Sequence, residues 1–168
     1  TPRQSEQLVL YENYQAHLAG QTSTTKNDFV YGFYATKPTV ALTFDDGPKE
    51  NTKAIMELLK KENVPATFFV VAELLSDETA SLYRDPLFQV GLHGFSHVDY
   101  TEYSLSECTA EIQKGKSRLE EYELSTLFFR PPFGTISDTL DQCLKESYLL
   151  GILWSLDSFD WDESPTEG

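Results

Sequence analysis

The chain of 168 residues is long enough for one domain with a substantial core, and its 27 acidic against 13 basic side chains give a net charge of -14. That balance argues against nucleic acid and anionic membranes as partners. No apolar run approaches the ~20 residues that a membrane-spanning helix needs.

Residues 1–38 show no clear period and are rich in Tyr, Gln and Thr. They read as an N-terminal extension packing on the domain at 39–168, with Gln7–Tyr11 and Tyr31–Tyr34 as short strand candidates. Thr39–Asp45 alternates apolar with small or hydroxyl residues and stops at Gly47-Pro48, which predicts a strand ending in a turn. A helix follows near 50–63, with Ile55, Leu58 and Leu59 as its inward stripe. Ala66–Val71 is the second strand, followed by a weaker helical stretch to about Asp85, and Phe88–Leu92 is the third strand. The next helix, near 104–122, opens with Ser104 and Glu107 at capping-box spacing. Leu127–Arg130 is a strand stopped by Pro131-Pro132, 137–147 a helix, and Leu149–Ser155 a fifth strand. Strands and helices alternate, and the strands are nearly all apolar. That pattern predicts a parallel sheet with helices outside it.

Both cysteines fall on apolar stripes: Cys108 with Leu105, Ile112 and Leu119, and Cys143 with Leu140 and Leu144. Buried thiols and a disulfide both remain open on this spacing, and metal binding by these thiols is not expected.

The polar residues gather at one end of this pattern. Asp45 and Asp46 end the first strand, His93 and His97 follow the third, Arg130 ends the fourth, and Asp157 to Asp160 follow the fifth. Chemistry at the C-terminal ends of parallel strands is the habit of β/α barrels and open α/β sheets. Two adjacent carboxylates do not comfortably both ionise in a cleft without a positive neighbour. The i, i+4 spacing of His93 and His97 predicts two imidazoles on one face of a helical turn. Two histidines and a carboxylate form a catalytic zinc set, leaving the second aspartate free as a base. A barrel in its standard form needs about eight strands; with five in view, the expected fold is an α/β, distorted (β/α) barrel incomplete at its C-terminal end. Such a fragment would expose open sheet edges and is expected to be poorly soluble alone.

Four motifs occur in order: Thr43-Phe44-Asp45-Asp46-Gly47-Pro48, His93-Gly94-Phe95-Ser96-His97, Arg130-Pro131-Pro132-Phe133-Gly134 and Asp157-Ser158-Phe159-Asp160-Trp161. Over residues 39–162 the chain resembles the polysaccharide deacetylases, the NodB-homology group of carbohydrate esterase family four. The resemblance implies that Asp46, His93 and His97 hold a divalent metal, most often zinc. It implies Asp45 as the general base and Arg130 as the group that keeps it ionised and oriented. The Phe133 N–H would help to stabilise the oxyanion, and Trp161 would line the sugar groove, packing in the core being the other reading. Asp157 would partner a late acid histidine, carried in the family by a fifth, Leu-His motif.

That motif does not occur in this sequence. His17, in Tyr14-Gln15-Ala16-His17-Leu18, does not resemble it and reads as a surface or packing histidine. Gly94 replaces the family's usual Thr or Ser, which is expected to loosen the loop, and Leu92 and Gln89 replace residues that are often polar or acidic.

The implied activity is metal-dependent N-deacetylation of an N-acetylglucosamine polymer, of chitin type or peptidoglycan. The alternatives are an impaired relative that only binds polysaccharide, and an O-deacetylase of xylan-type esters. The implied partner is the polysaccharide, and the implied location extracellular or at the cell wall, where such polymers reside.

Overall fold

The computed structural model describes residue 12, residues 25–26 and 28–32, and the stretch 36–162. The strand candidate at 7–11, His17 and residues 33–35 lie outside the described residues. Near the N-terminus, β1 (Thr25–Lys26) pairs antiparallel with β2 (Phe29–Val30). The strand therefore precedes the expected Tyr31–Tyr34, whose described part, 31–32, is not extended into a ladder. Val30 makes a parallel bridge to Ile152, and Phe29 is buried across Gly151, where an added Cβ would collide with its ring.

The domain is a parallel sheet in chain order: β3 (Leu42–Gly47), β4 (Ala66–Val70), β5 (Phe88–Leu92), β6 (Phe128–Phe129) and β7 (Leu150–Gly151). Helices α1 (Thr52–Lys61), α2 (Asp77–Leu82), α3 (Leu105–Glu121) and α4 (Asp138–Glu146) make the crossovers. Side chains alternate faces along each strand. Phe68, Phe129 and Leu149 therefore join the main core, while Phe69, Phe128 and Leu150 form a second cluster. A cavity of about 490 Å³ lies on that second face, lined by Thr67, Phe69, Gln89, Phe128, Arg130 and Ile152 among others. The predicted parallel α/β architecture is what the chain adopts.

Helix ends follow local rules. Ser104 and Glu107 make the expected capping box on α3, Ser76 and Thr79 make another on α2, and Ser137 caps α4. At the C-terminal ends, Asn63, Glu123 and Tyr148 take left-handed φ of 53°, 59° and 54°. The amides of Val64, Leu124 and Leu149 return to the carbonyls of Leu59, Leu119 and Leu144. Each is a Schellman closure whose apolar last residue feeds the next strand.

Several sequence expectations shift. The first strand runs through both aspartates to Gly47, while residues 39–41 lie outside it and Val40 is 74% exposed. On α1 the buried row is Thr52, Met56 and Leu59, with Leu58 58% exposed. Those three repeat at i, i+4, i+7, and Leu58 sits about 100° around from Leu59. The expected fifth strand over 149–155 shrinks to Leu150–Gly151, because the carbonyls of Ile152 and Leu153 accept from Arg130 Nε and Nη2. Cys108 and Cys143 are buried free thiols. Their mutual hydrogen bond, with burial, pushes the Cys108 thiol far up.

Candidate metal centre

The two aspartates at the end of β3 diverge because the backbone turns between them. Asp46 takes a left-handed φ of 63°, and the register to β4 is irregular between Phe44 and Gly47. Asp45 thus meets Arg130, whose Nη1 donates to its Oδ1 at 2.7 Å, while Asp46 faces the histidines.

His93, at the end of β5, is buried; its Nδ1 lies 2.7 Å from the Arg130 carbonyl. Donation through Nδ1–H orients the ring and sets Nε2 3.3 Å from Asp46 Oδ1, where its lone pair would face a bound cation. His97 Nε2 lies 3.0 Å from the same oxygen. The pair does not sit on a helical turn, as the i, i+4 spacing had predicted. Residues 93–97 form a loop with Gly94 at φ 84° and His97 at φ 53°. A helix is disallowed by those two left-handed residues, and the loop, not a helix face, brings the imidazoles together with ring centroids 5.1 Å apart.

The three ligand atoms of Asp46, His93 and His97 all lie within 4.8 Å of one another. The 3.3 and 3.0 Å separations are close to the edge of a tetrahedron built on ~2.0 Å metal–ligand bonds, about 3.3 Å. The donor set therefore fits a small divalent cation. The His93 hydrogen bond, opposed by burial and joined by Lys49 and the His97 charge, holds the Asp46 carboxyl well below the usual range. An anion is thus maintained where a cation would bind. Lys49, whose Nζ is 3.2 Å from Asp46 Oδ2, was not anticipated; its position three residues after Asp46 was the available signal.

Arg130 is 2% exposed and donates four hydrogen bonds. Besides Asp45 it donates to Thr43 Oγ1 at 2.8 Å, Ile152 O at 3.2 Å and Leu153 O at 2.9 Å. Its guanidinium lies over the Phe69 ring at 4.0 Å. Burial pulls its pKa down and Asp45 opposes that, so the buried charge is paired and hydrogen-bonded as such charges must be.

Phe133 has φ 61°, and its ring is 4.7 Å from that of His97 and 64% exposed. It flanks the cluster. Asp157 and Trp161 stand apart: no hydrogen bond or ion pair among the described residues joins either to Asp46, His93 or His97. Asp157 accepts from Phe159 N at 2.9 Å and from Trp161 Nε1 at 3.4 Å. Trp161 is 69% exposed among the described residues. Gly94 is not a loosening substitution either; its φ of 84° is a conformation that favours glycine.

A family model described as polysaccharide deacetylase matches residues 34–149. A peptidoglycan-N-acetylglucosamine deacetylase of Listeria monocytogenes is 34% identical over 130 residues, 75% of this chain and 27% of the relative. The crystal structure of a carbohydrate esterase family 4 pseudoenzyme from Bacillus anthracis aligns with TM-score 0.75 and 26% identity, covering 82% of this chain and 50% of that one. A family 4 acetyl xylan esterase from Clostridium thermocellum, solved with a cobalt ion, aligns with TM-score 0.64 and 32% identity, covering 75% and 62%. The chain thus spans less than two thirds of each.

Proposed function

The chain belongs to the polysaccharide deacetylase family, and from that premise we propose that it is part of a metal-dependent hydrolase removing N-acetyl groups from a polymer of N-acetylglucosamine. The observation that carries the proposal is the division of labour at the end of β3. Asp46 joins His93 and His97 in a cation-sized cluster, while Asp45 is held apart on Arg130. The named Listeria monocytogenes relative acts on peptidoglycan, which supports an N-acetylglucosamine polymer as the substrate class. Such polymers lie outside the cytoplasm, so the proposed location is extracellular or at the cell wall.

Asp46, His93 and His97 would hold the cation, zinc being the best match to this donor set. A cation bound there supplies Lewis acidity toward the acetyl carbonyl and toward water. Asp45 takes the proton of the attacking water as general base, and Arg130 keeps its carboxylate ionised and aimed. Phe133 covers one side of His97, and its N–H is the proposed backbone donor to the oxyanion.

Asp157 supports a second reading. Its carboxylate accepts from Phe159 N and Trp161 Nε1, and the likeness to the Bacillus anthracis pseudoenzyme supports an impaired, polysaccharide-binding relative as that reading. Amide and ester substrates separate the readings. Metal-loaded protein is expected to release acetate from N-acetylglucosamine oligosaccharides, and Asp45→Asn to slow it by about 10²–10⁴-fold. Release from acetylated xylan alone selects the ester activity, and binding with metal present but no release from either selects the impaired relative.

A further inference from the structure

We infer that Glu111, on α3, is a positioning residue of the metal centre: it fixes the backbone before His97 and thereby the reach of that imidazole. The inference rests on reading Asp46, His93 and His97 as metal ligands.

The two histidines are oriented by different means. His93 is locked through its own second ring nitrogen, Nδ1, which is tied to the Arg130 carbonyl at 2.7 Å. His97 has no hydrogen bond at Nδ1 among the described residues, and its side chain is 30% exposed. A ligand histidine lacking such a tether depends on its backbone for direction. That backbone is in the left-handed region, with φ 53°, which a histidine holds only where its surroundings enforce it.

The enforcement is visible residue by residue. The carbonyls of Gly94 and Phe95 accept from the amides of Ala72 and Glu73 at 3.0 and 2.9 Å. The Phe95 ring lies beneath Lys114 Nζ, 3.8 Å from its centroid. Ser96, immediately before His97, gives both its N–H and its Oγ–H to one oxygen, Glu111 Oε1, at 2.9 and 2.6 Å. Both bonds are charge-assisted and short. Glu111 and Lys114 share one face of α3 at i, i+3, and the buried Cys108, Ile112 and Gly115 seat that helix against the sheet. Glu111 therefore transmits a fixed reference from the core to the loop that carries His97, without touching the cation site.

The test is zinc affinity, measured by competition with a chromophoric chelator, together with the visible spectrum of the cobalt(II) form. Glu111→Ala is expected to weaken zinc binding at least about tenfold, the usual effect of removing an outer partner of a metal ligand. Its cobalt spectrum should move toward that of His97→Ala. Glu111→Gln keeps the shape and an acceptor oxygen, so it should restore part of the affinity; it also decides the matter if the alanine variant does not fold. Ile112→Val, next to Glu111 but turned into the core, should lower the urea midpoint while leaving zinc affinity unchanged. Wild-type zinc affinity and spectrum in both Glu111 variants would overturn the inference. So would an equal affinity loss in Ile112→Val, which would make the effect one of stability. Wild-type protein that binds no zinc overturns the metal reading as well, so the two failures are distinguishable.

Discussion

Arg130 and Asp45 meet at 2.7 Å, and the same arginine's carbonyl accepts from His93 Nδ1 at 2.7 Å. One residue thus aims the base with its side chain and a metal ligand with its backbone. Replacing Arg130 by alanine strands Asp45 and leaves the carbonyls of Ile152 and Leu153 without their donor. A loss of about 1–3 kcal/mol in urea unfolding is expected for the acceptors left unpaired. Asp45→Asn should instead fold and bind zinc as wild type, while acetate release falls by about 10²–10⁴-fold. Parallel losses of zinc affinity and rate in Asp45→Asn would refute the separation of roles.

Removing the metal should silence the proposed activity without unfolding the chain, since none of the three ligand residues belongs to the main core. Chelation is expected to abolish acetate release and added zinc to restore it. Zinc at about a hundred times its Kd should stabilise the fold by about 2.7 kcal/mol through binding linkage, read as a raised Tm. Asp46→Ala, which removes the oxygen shared by both histidines, should lose that rise. A Tm shift that persisted in Asp46→Ala would place the cation elsewhere.

Much of this was legible from residue order because the determinants are local. Phe88–Leu92 is a strand as predicted since its apolar run is bounded by punctuating residues, and Ser104 with Glu107 marks the start of α3 because capping is a short-range rule. The composition of the site, Asp45, Asp46, His93, His97 and Arg130, could also be read in the chain. Its geometry could not. A spacing of four between histidines suits a helix, and only the left-handed Gly94 and His97, held by α3 and by Ala72–Glu73, make it a loop. The end of β7 was misread for a similar reason. Ile152 and Leu153 look like strand, but a guanidinium 22 and 23 residues earlier takes their carbonyls. Nothing short-range announces Glu111 as the partner of Ser96, 15 residues away.

Tyr100 gives the alkaline side of stability. It is 1% exposed, and its hydroxyl has no hydrogen-bond partner among the described residues. Burial first, then the charge of Glu111, pushes its phenol above the ordinary value. A raised native value means the contribution is complete below the unfolded pKa of about 10 and declines as pH rises past it. The urea midpoint should therefore fall above about pH 10, with a slope of up to ~1.4 kcal/mol per pH unit from this group. Tyr100→Phe should be neutral or stabilising at neutral pH, because the deleted hydroxyl is unpaired. It should also flatten the alkaline decline, and an unchanged decline would assign the effect to other groups.

Gly94 meets the same tyrosine. A Cβ built there would lie 3.0 Å from Tyr100 Oη and 3.7 Å from the His97 amide, at a φ of 84°. Gly94→Ala therefore suffers two penalties, a left-handed backbone costing about 1–2 kcal/mol and a contact with a rigid, buried ring. The expected loss in urea unfolding is about 2 kcal/mol, accompanied by weaker zinc binding because the loop also carries His97. In a Tyr100→Phe background the contact is relieved and the backbone strain is not, so the double variant should recover only part of the loss. That coupling is what a double-mutant cycle measures. Full recovery would mean that steric contact alone dictates glycine at this position, and no recovery would assign the requirement wholly to the backbone.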